Sequence, residues 1–365
     1  MLDRYLRAAG ISAVLVTSMM LARNFWSDDL ASGYLQHPAS PTAIPMAVLG
    51  DSNSHSFQDR TSFPAGSTER GGPLRAQTYN WTDALDHLRG KEIDSGPRVV
   101  WGNSGIVAFG REAIGLEGRR APKKEDYLFN FANSGASCAN LMQGRFRQAP
   151  RLVALMDKEP SRWRRGVVVI RMGVNDWSGL LDVQSRDPNA DQIVAATTHC
   201  TEQIQHAIAL IHASHPATRI LVVGIPNLTD DAAYHERFLT ASESRNINTA
   251  LRAFNGALQK LAGNSRNTAY FDDNAWFVAR WGSRDAQGRP AYKTVTIGND
   301  FMVTNTAGDD PHNALVGDHH AGLILNTLWA QSLVARLRDA FQLPITPITD
   351  DEVNRLVLPL VASRP

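Results

Sequence analysis

Short apolar runs that alternate with amphipathic segments constrain the fold of this chain most. The run at 166–172 is rich in β-branched residues, and a similar run lies at 219–224. Between them, Gln192–Ala213 repeats apolar residues at the three- and four-residue spacing of a helix. A second helical pattern, Asn246–Leu261, precedes another short apolar run at Thr268–Phe271. Buried strands that alternate with helices in this way predict a parallel sheet with helices on both faces.

The first strand ends at a turn that contains a serine. Ala47–Leu49 is apolar and stops at Gly50, Asp51 and Ser52. In an open α/β sheet, ligands bind just beyond the carboxyl ends of the strands, so Ser52 is a candidate nucleophile. A turn that caps the next helix is the competing interpretation, because Gly, Asp and Ser are common turn residues.

Two later apolar runs also end at small and amide residues. The run at 127–131 is predicted to be a strand that leads to Gly135, and the run at 166–172 leads to Gly173 and Asn175. The ends of these predicted strands place a hydroxyl, a glycine amide and an Asn side chain at the same edge of the predicted sheet. Late in the chain, 318–320 (Asp-His-His) precedes a predicted helix at Leu323–Leu337.

In this order the segments resemble the SGNH (GDSL-type) hydrolase family, over roughly Ile44–Leu337. Ser52, Gly135, Asn175 and His320 take the places of the four family residues. The resemblance implies an α/β three-layer sandwich, flavodoxin-like, with a central parallel sheet flanked by helices. It also implies a serine esterase that forms an acyl-enzyme and uses no cofactor and no metal.

The predicted site supplies each part of such a reaction. A histidine within reach of Ser52 would remove the hydroxyl proton during attack. The backbone N–H groups of Ser52 and Gly135 and the amide of Asn175 would form the oxyanion hole. We expect glycine at 135 because a side chain there would obstruct approach of the ester to the backbone.

The sequence offers three candidates for the base. The family spacing of Asp three residues before His occurs literally at Asp309 and His312. We prefer His320 with Asp318 as its orienting carboxylate, because the family's base lies just ahead of the last helix. His312 with Asp309 is the alternative pair, and His319 is a third candidate.

Two other function classes stay open. The Asp and His residues within 309–320 would suit a metal-dependent hydrolase, and an inactive carbohydrate-binding protein could keep the same fold. His55, three residues after Ser52, is predicted to cap or line the pocket.

The substrate is predicted to be an ester, either a small molecule or a polysaccharide. The long segments Ser56–Tyr79 and Trp276–Thr306 flank the predicted site, and we expect them to form its walls. Aromatic residues in or beside them favour carbohydrate deacetylation, although core packing explains them equally well: Tyr79, Trp81, Trp276, Phe277 and Trp281.

Composition limits the partners. A net charge of +1, from 37 basic and 36 acidic side chains, gives no bulk attraction to nucleic acid. Arg4 and Arg7 precede an apolar stretch at 8–22, which is typical of a signal peptide or a peripheral membrane anchor. We therefore expect an exported (periplasmic or extracellular) or membrane-anchored protein, with a cytoplasmic location as the alternative.

The predicted organisation has four parts. They are a signal peptide or anchor at 1–26, a linker at 27–43, the catalytic domain at 44–343 and a tail at 344–365 that includes a short helix. Cys138 and Cys200 are the two cysteines, and their number and spacing indicate no disulfide framework and no zinc site. The sequence leaves open whether they pair with each other.

Overall fold

The computed structural model describes residues 40–116 and 118–362. The predicted signal peptide or anchor at 1–26, and the linker up to residue 39, lie outside these ranges. The strands are β1 Ile44–Gly50, β2 Ile93–Asp94, β3 Arg98–Trp101, β4 Lys124–Tyr127, β5 Val167–Arg171, β6 Arg219–Val223, β7 Thr268–Phe271, β8 Gly282–Arg284, β9 Pro290–Tyr292, β10 Val295–Ile297, β11 Phe301–Ala307 and β12 Asn313–Leu315. The helices are α1 Trp81–Arg89, α2 Gly105–Ala113, α3 Gln148–Met156, α4 Pro160–Trp163, α5 Val174–Ser178, α6 Leu181–Arg186, α7 Asp191–Ser214, α8 Ala241–Ala262, α9 Asp273–Trp281, α10 Leu323–Phe341 and α11 Asp350–Ala362.

The central sheet has five parallel strands in the order β2-β1-β5-β6-β7. The chain therefore fills one side of β1 with β2 and then crosses to β5 on the other side. This is the flavodoxin-like order, and it makes the gap beyond the carboxyl ends of β1 and β5 the topological switch point. The predicted parallel α/β fold is confirmed.

Side chains of each central strand alternate between two apolar cores. In β1, Ala47 and Leu49 pack into one core with α3, α7 and α8, whereas Met46 and Val48 pack into the other with α1 and α10. Both cores consist of fully buried side chains, so both faces of the sheet are covered. The result is the predicted three-layer sandwich.

The segment at 127–131 is not a regular strand of the central sheet. β4 ends at Tyr127 and pairs antiparallel with β3, outside the central sheet. Beyond it the chain runs beside β1 through a single bridge between Val48 and Asn130. The Asn130 amide donates to the carbonyl of Ser54 at 2.7 Å. Backbone bonds still join the segment to β1, from Val48 N–H to the Phe129 carbonyl and from Phe131 N–H to the Val48 carbonyl, so the segment reaches the predicted edge of the sheet.

The two predicted wall segments differ in structure. Ser56–Tyr79 is mostly irregular and contains a 3₁₀ helix at Gly72–Gln77. Trp276–Thr306 is not structureless, because it contains the end of α9, the β8–β9 hairpin and most of the β10–β11–β12 sheet. These strands are only three to seven residues long, too short for a clear periodic pattern in the sequence.

The C-terminal tail is part of the folded body. Val353 and Val357 of α11 are buried in the same core as α10, and Glu352 forms an ion pair with Arg89 of α1. Across residues 40–116 and 118–362, no helix combines the length and apolarity needed to cross a membrane.

A disulfide joins Cys138 to Cys200, with 5.0 Å between the Cα atoms. Cys138 begins a 3₁₀ helix just after Gly135, and Cys200 lies within α7. Both side chains are fully buried. The bond therefore ties the segment that carries Gly135 to a long helix of the core.

Loss of this disulfide should destabilise the protein. The two cysteines are 62 residues apart, and cross-linking a loop of this size restricts the unfolded chain. We expect the double variant Cys138→Ala/Cys200→Ala to lose about 2–5 kcal/mol in unfolding free energy, measured by urea denaturation. Thiol titration of the unreduced wild type in denaturant provides the control and should detect no free thiol. Two titratable thiols, together with unchanged stability of the variant, would contradict the pairing.

Candidate active site

A cavity of about 410 Å³ opens beyond the carboxyl ends of β1 and β5. Its lining includes all five residues preferred from the sequence: Ser52, Gly135, Asn175, Asp318 and His320. They come from four separate segments of the chain. The structure therefore brings the predicted constellation together at the topological switch point.

The turn after β1 presents Ser52 to this cavity. A Cβ atom at Gly50 would lie 2.8 Å from the carbonyl oxygen of Arg171, so the close approach of β1 and β5 requires glycine there. Asp51 shapes the turn, since its carboxylate accepts a bond from the Asn53 N–H at 2.9 Å and its carbonyl accepts from Ser54 and His55. Burial raises the pKa of Asp51. Ser52 itself is half-buried.

Gly135 lies in a turn that needs glycine for its backbone conformation. Its φ is +73°, in the left-handed region that side chains disfavour. Apart from its two chain neighbours, no atom of the described residues lies within 4 Å of a Cβ placed there, so these residues do not crowd the position. The expected obstruction would thus arise only against a bound ester in the open cavity.

Asn175 links the two turns that flank Ser52. Its side-chain amide donates to the carbonyl of Ala136 at 2.8 Å, which occupies one of its two N–H groups. The neighbouring carboxylate of Asp176 accepts from the Cys138 N–H at 2.9 Å. The turn after β5 therefore holds the Gly135 turn at two adjacent points.

His320 is oriented by Asp318. The ring atom Nδ1 lies 3.1 Å from Asp318 Oδ1 and 3.1 Å from the Asp318 carbonyl oxygen. Burial alone would raise the pKa of Asp318, but the hydrogen bond to His320 and the charges of His320 and Arg70 hold that pKa well below its usual range. An ionised Asp318 favours a proton on Nδ1, which leaves Nε2 free to accept another, whereas the Arg70 Nη1 donor 2.8 Å away competes for Nδ1.

Arg70 completes the site and was missed by the sequence analysis. Its side chain is only 4% exposed, and its guanidinium forms an ion pair with Asp318 Oδ2. The same nitrogen, Nη1, lies 2.8 Å from His320 Nδ1, and Nη2 donates to Ser134 Oγ at 3.2 Å. No motif marks this arginine, which lies in an irregular loop 248 residues before Asp318.

The alternative histidines lie differently. The His312 side chain is 60% exposed, pairs with Asp310 at 2.8 Å and does not line the cavity. Its predicted partner Asp309 instead accepts from the Gly317 N–H at 2.9 Å. His319 lines the cavity but pairs with Asp231. Position before the helix Leu323–Phe341 therefore locates a cavity histidine with its own carboxylate, whereas the literal Asp-x-x-His spacing does not.

The predicted metal cluster at 309–320 does not form one ligand set. His312, His319 and His320 each pair with a different carboxylate. Within the described residues, the one group of three suitable ligand atoms within 4.8 Å of one another is Cys138, Asp176 and Cys200. Its two cysteines are joined as a disulfide, which removes their thiolates as ligands.

His55 does not line this cavity, contrary to the prediction. It is buried, with Nε2 2.8 Å from Asp59 Oδ2 and Nδ1 3.0 Å from Ser134 Oγ. It lines an adjoining cavity instead.

Residues 46–313 match the family model described as GDSL-like Lipase/Acylhydrolase. The chain belongs to this family. The match covers most of the chain and includes Ser52, Gly135 and Asn175, but it ends before Asp318 and His320. Membership makes the protein an ester-hydrolysing serine hydrolase, as the sequence resemblance implied.

Several solved structures are similar to this GDSL-like protein. A lipase from a goat rumen metagenome has 13% identity and a TM-score of 0.41, covering 80% of this chain and 97% of its own. An extracellular lipase from Streptomyces rimosus has 17% identity and a TM-score of 0.35, covering 79% of this chain and 99% of its own. Phospholipase A1 from Streptomyces albidoflavus NA297 has 17% identity and a TM-score of 0.28, and the match covers 65% of this chain and 83% of its own. Among curated proteins no match is found.

Substitution of the two candidate histidines tests their assignment. We expect His320→Ala to slow labelling of the protein by a fluorophosphonate about 10²–10⁴-fold, because the general base is lost. His312→Ala is the matched control, and its labelling rate should stay within about twofold of the wild type, since His312 lies outside the cavity. If His312→Ala slows labelling strongly and His320→Ala does not, the role of base would pass to His312.

Proposed function

We propose that Ser52 is the nucleophile of a carboxylic ester hydrolase that works through an acyl-enzyme. The observation that carries this proposal is the convergence of Ser52, Gly135, Asn175, Asp318 and His320 on one cavity. Family membership supports ester hydrolysis, and the cavity supports the roles of the individual residues.

The proposed reaction has two stages. Ser52 Oγ attacks the ester carbonyl while its proton passes to His320 Nε2, and Asp318 stabilises the imidazolium that results. The imidazolium then protonates the departing alcohol, which leaves an acyl group on Ser52. In the second stage water attacks this acyl group and gives a proton to His320; the bond to Ser52 Oγ then breaks, the carboxylic acid leaves and His320 returns the proton to Ser52. Arg70 acts as a positioning residue, because it bonds one oxygen of the Asp318 carboxylate while His320 faces the other.

Three donors are proposed for the oxyanion. They are the backbone N–H groups of Ser52 and Gly135 and the second N–H of the Asn175 amide. The bond from Asn175 to Ala136 fixes the amide plane before substrate binds. Such preorganisation is what makes one donor worth roughly 3–4 kcal/mol in the transition state.

The alcohol part of the substrate is proposed to be a carbohydrate, and the ester an acetyl ester. Trp276 and Phe277 line the cavity beside polar groups of Asn227, Asp231 and Asn305. Asn305 is buried, and its Oδ1 atom has no hydrogen-bond partner in the described part of the chain. Aromatic faces next to amide and carboxylate acceptors suit a sugar, which presents both C–H faces and hydroxyl donors.

The other aromatic residues named from the sequence do not contribute to this cavity. Trp81 and Trp281 are fully buried, so packing explains them. Tyr79 stacks on His87, with 4.5 Å between ring centroids, and lines a different surface cavity. The argument for carbohydrate therefore rests on Trp276, Phe277 and their polar neighbours.

Export, or attachment to a membrane through residues 8–22, is proposed for the location. The Cys138–Cys200 disulfide supports this, because such bonds persist in oxidising compartments and are rare in the cytosol.

Replacing the proposed nucleophile tests the acyl-enzyme. Ser52→Ala should lower kcat for p-nitrophenyl acetate at least about 10³-fold. Its fold should be unchanged by circular dichroism, since Ser52 is half-buried at a cavity wall. In acid-quenched wild type, mass spectrometry should find the acetyl group on the peptide that contains Ser52. A chelator should leave the rate unchanged. Loss of activity with the chelator, or half the wild-type rate in Ser52→Ala, would overturn the serine mechanism.

Replacing Trp276 tests the carbohydrate proposal. Trp276→Ala should raise KM for acetylated xylo-oligosaccharides about fivefold, because a stacking surface worth about 1 kcal/mol is lost. KM for p-nitrophenyl acetate should change less than twofold. Trp276→Phe, which keeps an aromatic face, is the matched control and should recover most of the sugar affinity. Equal KM changes for both substrates would argue against a sugar subsite.

A further inference from the structure

A second Ser–His–Asp arrangement lies behind the Gly135 turn. Ser134 Oγ is 3.0 Å from His55 Nδ1, and His55 Nε2 is 2.8 Å from Asp59 Oδ2. Both distances are within the range for proton transfer along a catalytic triad. None of these three residues has a part in the reaction proposed for Ser52.

The hydrogen bonds fix the direction of proton transfer. Burial would raise the pKa of Asp59, but hydrogen bonds from His55 and Ser62 and the His55 charge hold it well below its usual range. An ionised Asp59 only accepts, so His55 Nε2 carries a proton and donates it. The Ser134 backbone N–H also points to Nδ1, at 3.3 Å. Nδ1 is therefore the unprotonated nitrogen, ready to receive the Ser134 hydroxyl proton.

Arg70 supplies positive charge on the other side of this serine. Its Nη2 atom donates to Ser134 Oγ at 3.2 Å, so the oxygen accepts from a cation while its own hydrogen faces His55. A cation at hydrogen-bond distance stabilises the negative charge that develops on a serine oxygen as it loses its proton.

Ser134 is accessible from two cavities. It lines the cavity that contains Ser52, and it also lines a second cavity of about 430 Å³. The second cavity is bounded by His55, Phe63, Asn133 and Phe146 among other residues. Buried Asn133 has an Oδ1 atom with no hydrogen-bond partner among the described residues, and this atom is an acceptor available to a hydroxyl-bearing ligand.

We propose that Ser134 is a second nucleophile, which accepts an acyl group from a small ester. In this step the Ser134 Oγ–carbonyl carbon bond forms and the ester C–O bond breaks. The Ser134 proton passes to His55 Nδ1 and then to the departing alcohol, so the products are acyl-Ser134 and the free alcohol. Water attack on acyl-Ser134 returns the serine. The reaction does not depend on the role of Ser52.

The competing explanation is structural. His55 and Asp59 would then only anchor the Gly135 turn, and the Ser134 hydroxyl would have ordinary serine reactivity. The two explanations differ in covalent chemistry: a triad transfers a proton and makes a reactive oxygen, whereas an anchor does not.

Fluorophosphonate labelling followed by peptide mapping separates the two serines. Reaction forms a serine O–P bond and releases fluoride with the serine proton. Trypsin places Ser52 in the peptide 24–60 and Ser134 in the peptide 125–145. We expect an adduct on Ser134 in Ser52→Ala, and adducts on both serines in wild type after long exposure. The label on 125–145 should lie on Ser134 and persist in Ser137→Ala, a control in the same peptide.

Replacement of His55, the proposed base for Ser134, provides a second test. In Ser52→Ala, the further change His55→Gln should slow labelling of Ser134 about 10²-fold, because Gln preserves a polar side chain but accepts no proton. An adduct on Ser52 alone in wild type, with none on Ser134 in Ser52→Ala, would overturn this inference and leave the proposed function intact. An adduct on Ser134 with none on Ser52 would support the inference and overturn the role of Ser52. A Ser134 labelling rate unaffected by His55→Gln would also refute the triad.

Discussion

The guanidinium of Arg70 is buried between three segments that are distant in the sequence: its own irregular loop, the Gly135 turn and the segment before α10. Removing such a charge from water costs several kcal/mol, and only well-placed partners offset that cost. Asp318 neutralises it, Ser134 accepts from Nη2, and the rings of Phe57 and Phe63 lie 5.6 and 4.9 Å from its central carbon. The irregular loop, the Gly135 turn and the segment before α10 are thereby joined at one cation. The geometry of His320 follows from this, because Arg70 fixes the carboxylate that orients it.

The same cation also explains why two serine environments coexist so close together. Arg70 bonds to Asp318, the carboxylate that orients His320, and to the hydroxyl of Ser134, which faces His55. One imidazole lies beside Nη1 of Arg70 and the other faces the serine that Nη2 contacts, and each has its own carboxylate, Asp318 or Asp59. Charge balance at this junction depends on both carboxylates being ionised, and the pKa of each is held well below its usual range.

The sequence predicted those parts of the fold and site that are marked by a pattern within one short segment. The strands at 167–171 and 219–223 and the helix at 191–214 were predictable, because burial of both sheet faces leaves long apolar patterns. Ser52, Gly135 and Asn175 were found because each follows directly on a strand or a turn with glycine. The segment at 127–131 is not a regular strand because the chain turns at 128–129 and pairs with β1 only through the bridge at Asn130, which an apolar pattern does not reveal. Arg70 and the His55–Asp59 pair depend on contacts between distant segments, and no spacing rule encodes those.

The position of Asp318 and His320 along the chain has a consequence for biosynthesis. Ser52 and Arg70 are made early, but their partners follow some 250 residues later, just before the penultimate helix. Until that stretch has left the ribosome, the arginine lacks its counter-charge and Ser52 lacks the histidine proposed as its base. On the proposed mechanism, hydrolytic competence is thus acquired in the closing phase of translation or afterwards. An incomplete polypeptide would then carry the proposed nucleophile in an inert form.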